Sequence, residues 1–235
     1  MTAEWPDLTA ADGYAIQTEL VSLLLADGTD RIVGYKLGLT SRPMQELLGV
    51  TEPDYGPILQ SMVLQDGNDV ALDRFIQPKI EAEVALVLDR DLRGPGVTAE
   101  QAASAVGGAL TALEIIDSRI EAWKIKLPDT IADLASSGAV VLASRPVPVD
   151  FDLRLVGVVI TRNGALVATG AGAAALGDPL AALAWLANTL APYDVALEAG
   201  RFVMTGSLHA AFPISAGDII RAEADRLGSV SVRVV

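Results

Sequence analysis

The chain reads as an α+β protein, and three features of its sequence predict that class. Short β-like stretches outnumber helical patterns, no regular βαβ alternation connects them, and Gly, Pro, Asn and Asp punctuate the chain throughout. Hydrophobic residues make up 51% and charged residues 20% of 235 positions, the balance of a folded globular protein rather than a disordered one. That length suits one domain with a sizeable core. We read residues 1–235 as a single unit, with a helical N-terminal segment, 1–50, packed on a β-rich core, 51–235.

The elements follow in order. LTAADGYAIQTELVSLLLAD, residues 8–27, predicts a helix: Thr9 is the N-cap, Ile16, Leu20, Leu23 and Leu24 recur at helical spacing, and Gly28 ends it. RIVGYKLGL is β-like and carries Lys36, while SRPMQELLGV predicts a short helix capped by Ser41 and closed by Gly49. TEPDYGPIL, with Asp54, predicts a punctuated loop. IEAEVALVL, residues 80–88, is a strand ending at the turn signal DRDLRGPGV. TAEQAASAVGGALTALEII begins as an N-capped helix, but its two glycines leave the end open, so LTALEIIDSRI is free to switch to strand.

KIKLPDTIADLASSGA predicts a polar loop leading into a β-rich half. There LRLVGVVITRNGALVATG is a hairpin turning at Asn163 and Gly164, which supply the positive φ angles of a type I′ turn. GDPLAALAWLANTLA is a helix with Asp178 as cap and Pro179 in its first turn, and FVMTGSL, DIIRAEA and SVSVRVV close the chain as strands. TGAGAAALG lacks the Lys-Ser/Thr ending and the strand–loop–helix setting of a phosphate loop, which argues against a nucleotide site.

Composition removes several function classes. A net charge of −13 argues against nucleic acid or an anionic membrane as partner. No apolar run reaches the roughly 18 to 20 residues that span a bilayer, and MTAEWPDLTAADG has neither the basic nor the apolar region of a signal peptide, so a cytoplasmic location is expected. Zero cysteines exclude disulfides, thiolate metal sites and a cysteine nucleophile. A single histidine, His209, cannot build a multi-histidine metal site within one chain. Chemistry is left to carboxylates, lysines, hydroxyls and hard metal ions.

Glu81 and Glu83 stand two apart in an otherwise apolar strand, so both carboxylates leave one face. Like charges placed so repel and lose solvation unless a cation lies between them. With Glu114, in the apolar run ALEIIDSRI, they offer the oxygen-only shell of Mg²⁺ or Mn²⁺; the alternative is a solvated edge paired with Lys79 or Arg90. Lys36 has no close charged neighbour in sequence, so burial would lower its pKa toward the range useful for proton transfer; a lysine snorkelling from a strand edge fits equally. Asp54 follows a proline, which is also ordinary turn chemistry. Ser136, Ser137 and Ser207, each near a glycine, are candidate carboxylate binders or turn residues, and His209 is a candidate base or a structural histidine.

These segments together resemble one family. GYKLGLTS, LGVTEPDYGPIL, PKIEAEVALVL, ALEIIDSRI, WKIKLPDTIAD, ASSGA and VMTGS occur in the order found in the hydratase branch of the fumarylacetoacetate hydrolase superfamily, the 2-oxopent-4-enoate hydratases of aromatic meta-cleavage pathways. The resemblance runs from about residue 10 to the C-terminus. It implies a single catalytic domain with a mixed β-sheet roll or sandwich core, Mg²⁺ or Mn²⁺ held by Glu81, Glu83 and Glu114, and a pocket containing Lys36 and Asp54, which we expect to be the catalytic pair that moves the protons, one of them activating water. It implies a small 2-hydroxydienoate substrate contacted by Ser136, Ser137 and Ser207, conversion to a 4-hydroxy-2-oxo acid, a homo-oligomer, and scope for a complex with another pathway enzyme. One departure is Leu134, where the family commonly carries Asn. The sister 4-oxalocrotonate-type decarboxylases are similar around KLGLTSR and ALEIIDSRI, and Pro-Asp in EPDYG favours the hydratases. The third reading is a noncatalytic partner or binding protein, against which the retained Lys36, Asp54 and three glutamates argue.

Overall fold

Strand alternation organises the main sheet. In the computed structural model, which describes residues 1–41, 45–46 and 49–235, a strand at Lys79–Leu88 buries Ile80, Ala82, Val84, Leu86 and Leu88 on one face and turns Glu81 and Glu83 to the other. The strands around it are β1 (Ile32–Gly38), β2 (Asp54–Leu59), β3 (Val63–Gln65), β6 (Val106–Ile116), β7 (Ser137–Leu142) and β10 (Phe202–Ser207). With the central strand as β5, the order is β2-β1-β10-β5-β6-β7-β3, and the short β11 (Phe212–Pro213) continues beside β5. The β1/β10 and β3/β7 pairs are parallel and the others antiparallel, which makes the sheet mixed.

A second sheet has the order β4-β13-β12-β8-β9, from Asp69–Val70, Gly228–Val234, Ile219–Ala224, Gly157–Arg162 and Ala165–Ala171 respectively. Its β12 and β13 pack on β6, and the Thr111 hydroxyl on β6 donates to the Gly228 carbonyl across the sheets at 3.0 Å. Val158, Ile160, Ala222, Val230 and Val232 supply its buried face, and the apolar core lies between the two layers. The α+β class and the sheet-on-sheet core expected from the sequence are what the structure contains.

Helices sit around these sheets: α1 (Ala10–Leu24), α2 (Ala99–Ala103), α3 (Leu127–Ala132) and α4 (Pro179–Leu190). Thr9 caps α1 as expected, its hydroxyl accepting the Asp12 N–H at 3.2 Å while the Asp12 carboxylate accepts the Thr9 N–H at 2.8 Å. The apolar stripe, however, faces outward. Ile16, Leu23 and Leu24 are exposed, whereas Gly13, Gln17 and Val21 turn inward. Gln17 accounts for that choice: its amide donates to the carbonyls of Tyr55 at 3.1 Å and Ile131 at 2.7 Å, two buried acceptors that a leucine would leave unpaired. The Asn163–Gly164 turn (φ 52° and 81°) and the Asp178 cap, which accepts the Leu180 N–H at 2.9 Å, also match expectation.

Four expectations need correction. TEPDYGPIL is not a loop beyond its first residues: Asp54–Leu59 is the buried strand β2, and Pro57 is tolerated because β2 is an edge of the sheet. The helix after Thr98 stops at Ala103, and the strand begins at Val106, ahead of both glycines, because Val106–Ile116 pair along the whole length of β5. The polar loop holds α3, with Pro128 in its first turn. Segment 1–50 is not only helical, since β1 lies inside the main sheet between β2 and β10. The helix expected between Ser41 and Gly49 falls largely outside the described residues.

Candidate active site

The site is assembled by register. Glu81 on β5 lies directly opposite Glu114 on β6, and Glu83 lies opposite Ser207 on β10. Lys36 on β1 faces Gly56 of β2, and Asp54 faces Gly38. A Cβ at Gly38 would stand 2.1 Å from Asp54 Oδ1, so the glycine leaves the Asp54 carboxylate its place. Four carboxylates and one ammonium therefore meet on one side of the sheet, closed over by the 134–136 turn. Lys36 and Glu114 are essentially inaccessible, at 3% and 0% exposed, which removes the snorkelling reading for Lys36.

Lys36 is not the lone lysine that its sequence neighbours suggest. Its Nζ lies 3.3 Å from Glu114 Oε1 and donates to the Ala135 carbonyl at 2.8 Å. Burial works against the ammonium, but Glu114, Asp54, Glu81 and Glu83 outweigh it and raise its pKa, opposite to the expected direction. Burial likewise raises Asp54, with Lys36 opposing. It pushes Glu81 up to about 7, Glu114 adding to the effect and Lys36 opposing it, and it pushes Glu83 well above the usual carboxylate range. Among the described residues, the cluster is short of positive charge.

Glu81, Glu83 and Glu114 each offer one carboxylate oxygen, all within 4.8 Å of one another. Glu83 Oε2 accepts the Gly206 N–H at 2.8 Å. Among the described residues, Glu83 Oε1 and both Glu114 oxygens have no hydrogen-bond donor, the Lys36 contact to Glu114 being an ion pair without hydrogen-bond geometry. Orphaned buried carboxylate oxygens of this kind are the donor set of a hard divalent cation such as Mg²⁺ or Mn²⁺, so the residues present fit that group. The solvated-edge alternative fails because β5 is central in its sheet.

The serines differ from one another. Ser137, at the start of β7, is fully buried, and its Oγ has no hydrogen-bond partner among the described residues. Ser136 Oγ is bonded to Thr130 Oγ1 at 3.1 Å, and Ser207 Oγ donates to the His209 carbonyl at 2.5 Å. His209 is held below the usual histidine pKa by burial, and its ring accepts the Ala82 N–H. Sequence reasoning missed three contributors, the Ala135 carbonyl, Thr130 and Thr40; from the sequence Gly206 is only the glycine beside Ser207 in a group of possible carboxylate binders. Gly206 sits at φ 111° with Thr40 Oγ1 2.0 Å from where a Cβ would stand, which is how its N–H reaches Glu83. Leu134, Ala135 and Ser136 are consecutive left-handed residues at φ 56°, 52° and 56°, and that strained turn aims the Ala135 carbonyl at Lys36. Arg119 braces it by donating to the Asp133 carboxylate and to the Ser137 carbonyl at 3.0 Å. Asn in the family motif at 134 is the one signal of this turn, since Asn tolerates φ above zero better than Leu.

Fold and site define a metal-dependent enzyme of the fumarylacetoacetate hydrolase kind, and residues 38–235 match the profile described as fumarylacetoacetate (FAA) hydrolase C-terminal. The chain belongs to that family. It is similar to the 2-oxo-hept-4-ene-1,7-dioate hydratase of Escherichia coli, 41% identical across 100% of this chain and 90% of that protein. It is also 43% identical to the 2-keto-4-pentenoate hydratase of Paraburkholderia xenovorans (strain LB400), across 96% of this chain and 84% of that one. Among solved structures it superimposes on a 4-oxalocrotonate decarboxylase from Pseudomonas putida G7, complexed with magnesium and adipate, with a TM-score of 0.95 and 39% identity over 100% of this chain and 89% of that chain. No helix among the described residues is long and apolar enough to cross a membrane.

Proposed function

We propose that this chain is a divalent-metal-dependent hydratase of aromatic meta-cleavage catabolism, adding water to 2-hydroxypenta-2,4-dienoate or a close analogue to give a 4-hydroxy-2-oxo acid. Glu81, Glu83 and Glu114 would hold Mg²⁺ or Mn²⁺. When bound, such an ion supplies Lewis acidity toward the carboxylate and second-carbon oxygen of a 2-oxo or 2-hydroxy acid. The observation that carries the reading is Asp54: a buried carboxyl beside Lys36 and Glu114 whose Oδ1 has no hydrogen-bond partner among the described residues.

In the reaction the enol oxygen gives up its proton and the fifth carbon gains one, leaving an α,β-unsaturated ketone. Water then adds its oxygen to the fourth carbon and a proton goes to the third. These steps need one group that takes up and releases protons beside one that stays positive. Asp54, its pKa raised by burial, suits the first role; Lys36, held as an ammonium by its carboxylates, suits the second. Ser137, whose hydroxyl has no partner among the described residues, is the best placed of the three serines to donate to the substrate carboxylate, and Ser136 and Ser207 would exchange existing bonds to do so.

A 4-oxalocrotonate-type decarboxylase is the second reading, favoured by the likeness to the Pseudomonas putida G7 structure. Absorbance separates the two, and separates both from a noncatalytic partner. A hydratase bleaches the conjugated dienoate with Mg²⁺ or Mn²⁺ and loses that activity in EDTA; a decarboxylase releases carbon dioxide from the longer diacid; a binding protein does neither. Undiminished turnover in EDTA would refute the metal role. The apolar side of α1, with Ile16, Leu23 and Leu24 exposed, supports a homo-oligomer in which a second copy covers it. A cytoplasmic setting suits this catabolic role.

A further inference from the structure

The only histidine sits outside the proton chemistry just described, yet it is built into the strand that carries two of the glutamates. Ser207 is opposite Glu83 and Phe212 is opposite Ile80, so five residue steps on the returning chain face three on β5. The surplus lifts residues 208–211 off the regular ladder. Ala82, fully buried between Glu81 and Glu83, still has its carbonyl matched, accepting the Leu208 N–H at 3.0 Å. Its N–H has no ladder carbonyl and donates instead to His209 Nε2 at 2.9 Å.

That bond defines the imidazole. Nε2 accepts only with its lone pair free, so the ring proton is on Nδ1, which lies 2.8 Å from the Ala210 carbonyl and donates to it. The Phe212 ring, 5.9 Å away between centroids, covers the histidine. The arrangement is self-consistent: one ring nitrogen takes the orphaned N–H, and the other anchors the ring to its own loop.

We propose that His209 is a positioning residue for the metal site, a side-chain substitute for the missing ladder carbonyl that holds the Glu81–Ala82–Glu83 backbone so that both carboxylates converge with Glu114. The proposal rests on the metal reading of those glutamates. Outer partners that orient ligands typically govern metal affinity by 10- to 100-fold.

The test is calorimetric titration of Mn²⁺ into metal-stripped full-length protein, comparing wild type with His209→Leu, His209→Gln and Glu83→Gln. His209→Leu, which fills space but accepts nothing, raises the Mn²⁺ Kd about tenfold or more. His209→Gln, whose amide oxygen reaches the place of Nε2, recovers most of that loss. A residue that only fills space would not give this split, so equal losses in the Leu and Gln variants, or no loss in the Leu variant, overturn the proposal. Wild-type Mn²⁺ affinity combined with lost turnover in both variants would overturn it in favour of a catalytic base. Glu83→Gln separates the two levels of the argument: if it binds Mn²⁺ as tightly as wild type, the metal reading itself fails, whereas weak binding there with unchanged binding in His209→Leu refutes only the positioning role.

Discussion

Glu83→Gln should make the protein more stable without metal and less stable with it. In metal-free protein the Glu83 carboxylate faces those of Glu81 and Glu114 within 4.8 Å, and at an effective dielectric of about 20 each such pair repels by about 3.5 kcal/mol. Lys36 offsets roughly one of these repulsions, and proton uptake relieves more at low pH. Because burial raises the folded pKa above the ordinary 4.5, the metal-free wild type is most stable below that pH and loses stability as pH rises through the folded value. Gln is neutral at every pH, so its advantage should be near zero at pH 5 and reach about 2 to 3 kcal/mol at pH 9.

Metal reverses the order. At a thousandfold excess of Mn²⁺ over Kd, wild type gains about 4.1 kcal/mol, more than the metal-free advantage of the variant and a rise in Tm of about 8 to 16 °C for a chain of this size. Glu83→Gln loses most of that gain because the orphaned Oε1 is replaced or weakened as a ligand. Thermal denaturation at pH 5, 7 and 9, in EDTA and in Mn²⁺, measures both effects. A variant that gains as much Tm from Mn²⁺ as wild type, or shows no metal-free advantage at pH 9, refutes the reasoning.

Three further substitutions probe neighbouring groups. Asp54→Asn should lower kcat by about 10² to 10⁴ while leaving Mn²⁺ affinity near that of wild type, and a parallel loss of affinity would assign Asp54 to the metal instead. Lys36→Met strands the buried Glu114 and Asp54 carboxylates and should cost about 3 to 5 kcal/mol in metal-free urea denaturation as well as abolish turnover; unchanged stability would refute the ion pair. Asp129 ties down the N-terminus, accepting the Thr2 N–H at 2.8 Å, the Thr2 hydroxyl at 2.6 Å and the Lys126 N–H at 2.9 Å. Burial pushes its pKa up, but these bonds prevail and hold it at about 2 against 3.8, so it contributes about 2 kcal/mol that is present above pH 3.8 and lost as pH falls toward 2. Asp129→Asn should lose that amount at pH 7 and show less acid sensitivity; equal urea midpoints at pH 7 would exclude the tether.

Several of these features are legible in the amino-acid sequence alone. Alternation in IEAEVALVL places both glutamates on one face, Thr9, Asn163–Gly164 and Asp178 announce their cap and turn, and the absence of cysteine with one histidine leaves oxygen as the metal donor. Those readings depend on local rules, namely period, capping and φ preference, which act within a few residues. Pairing decided the rest. Register across β5 and β6 put Glu114 opposite Glu81, an edge position turned the Pro/Gly stretch after Glu52 into a strand, and Gln17, needed by two buried carbonyls, rotated the apolar stripe of α1 outward. Lys36 shows the difference best. Its sequence neighbours predict a lowered pKa, but four carboxylates brought to it from β2, β5 and β6 raise it, because electrostatics follows distance in space and not separation along the chain.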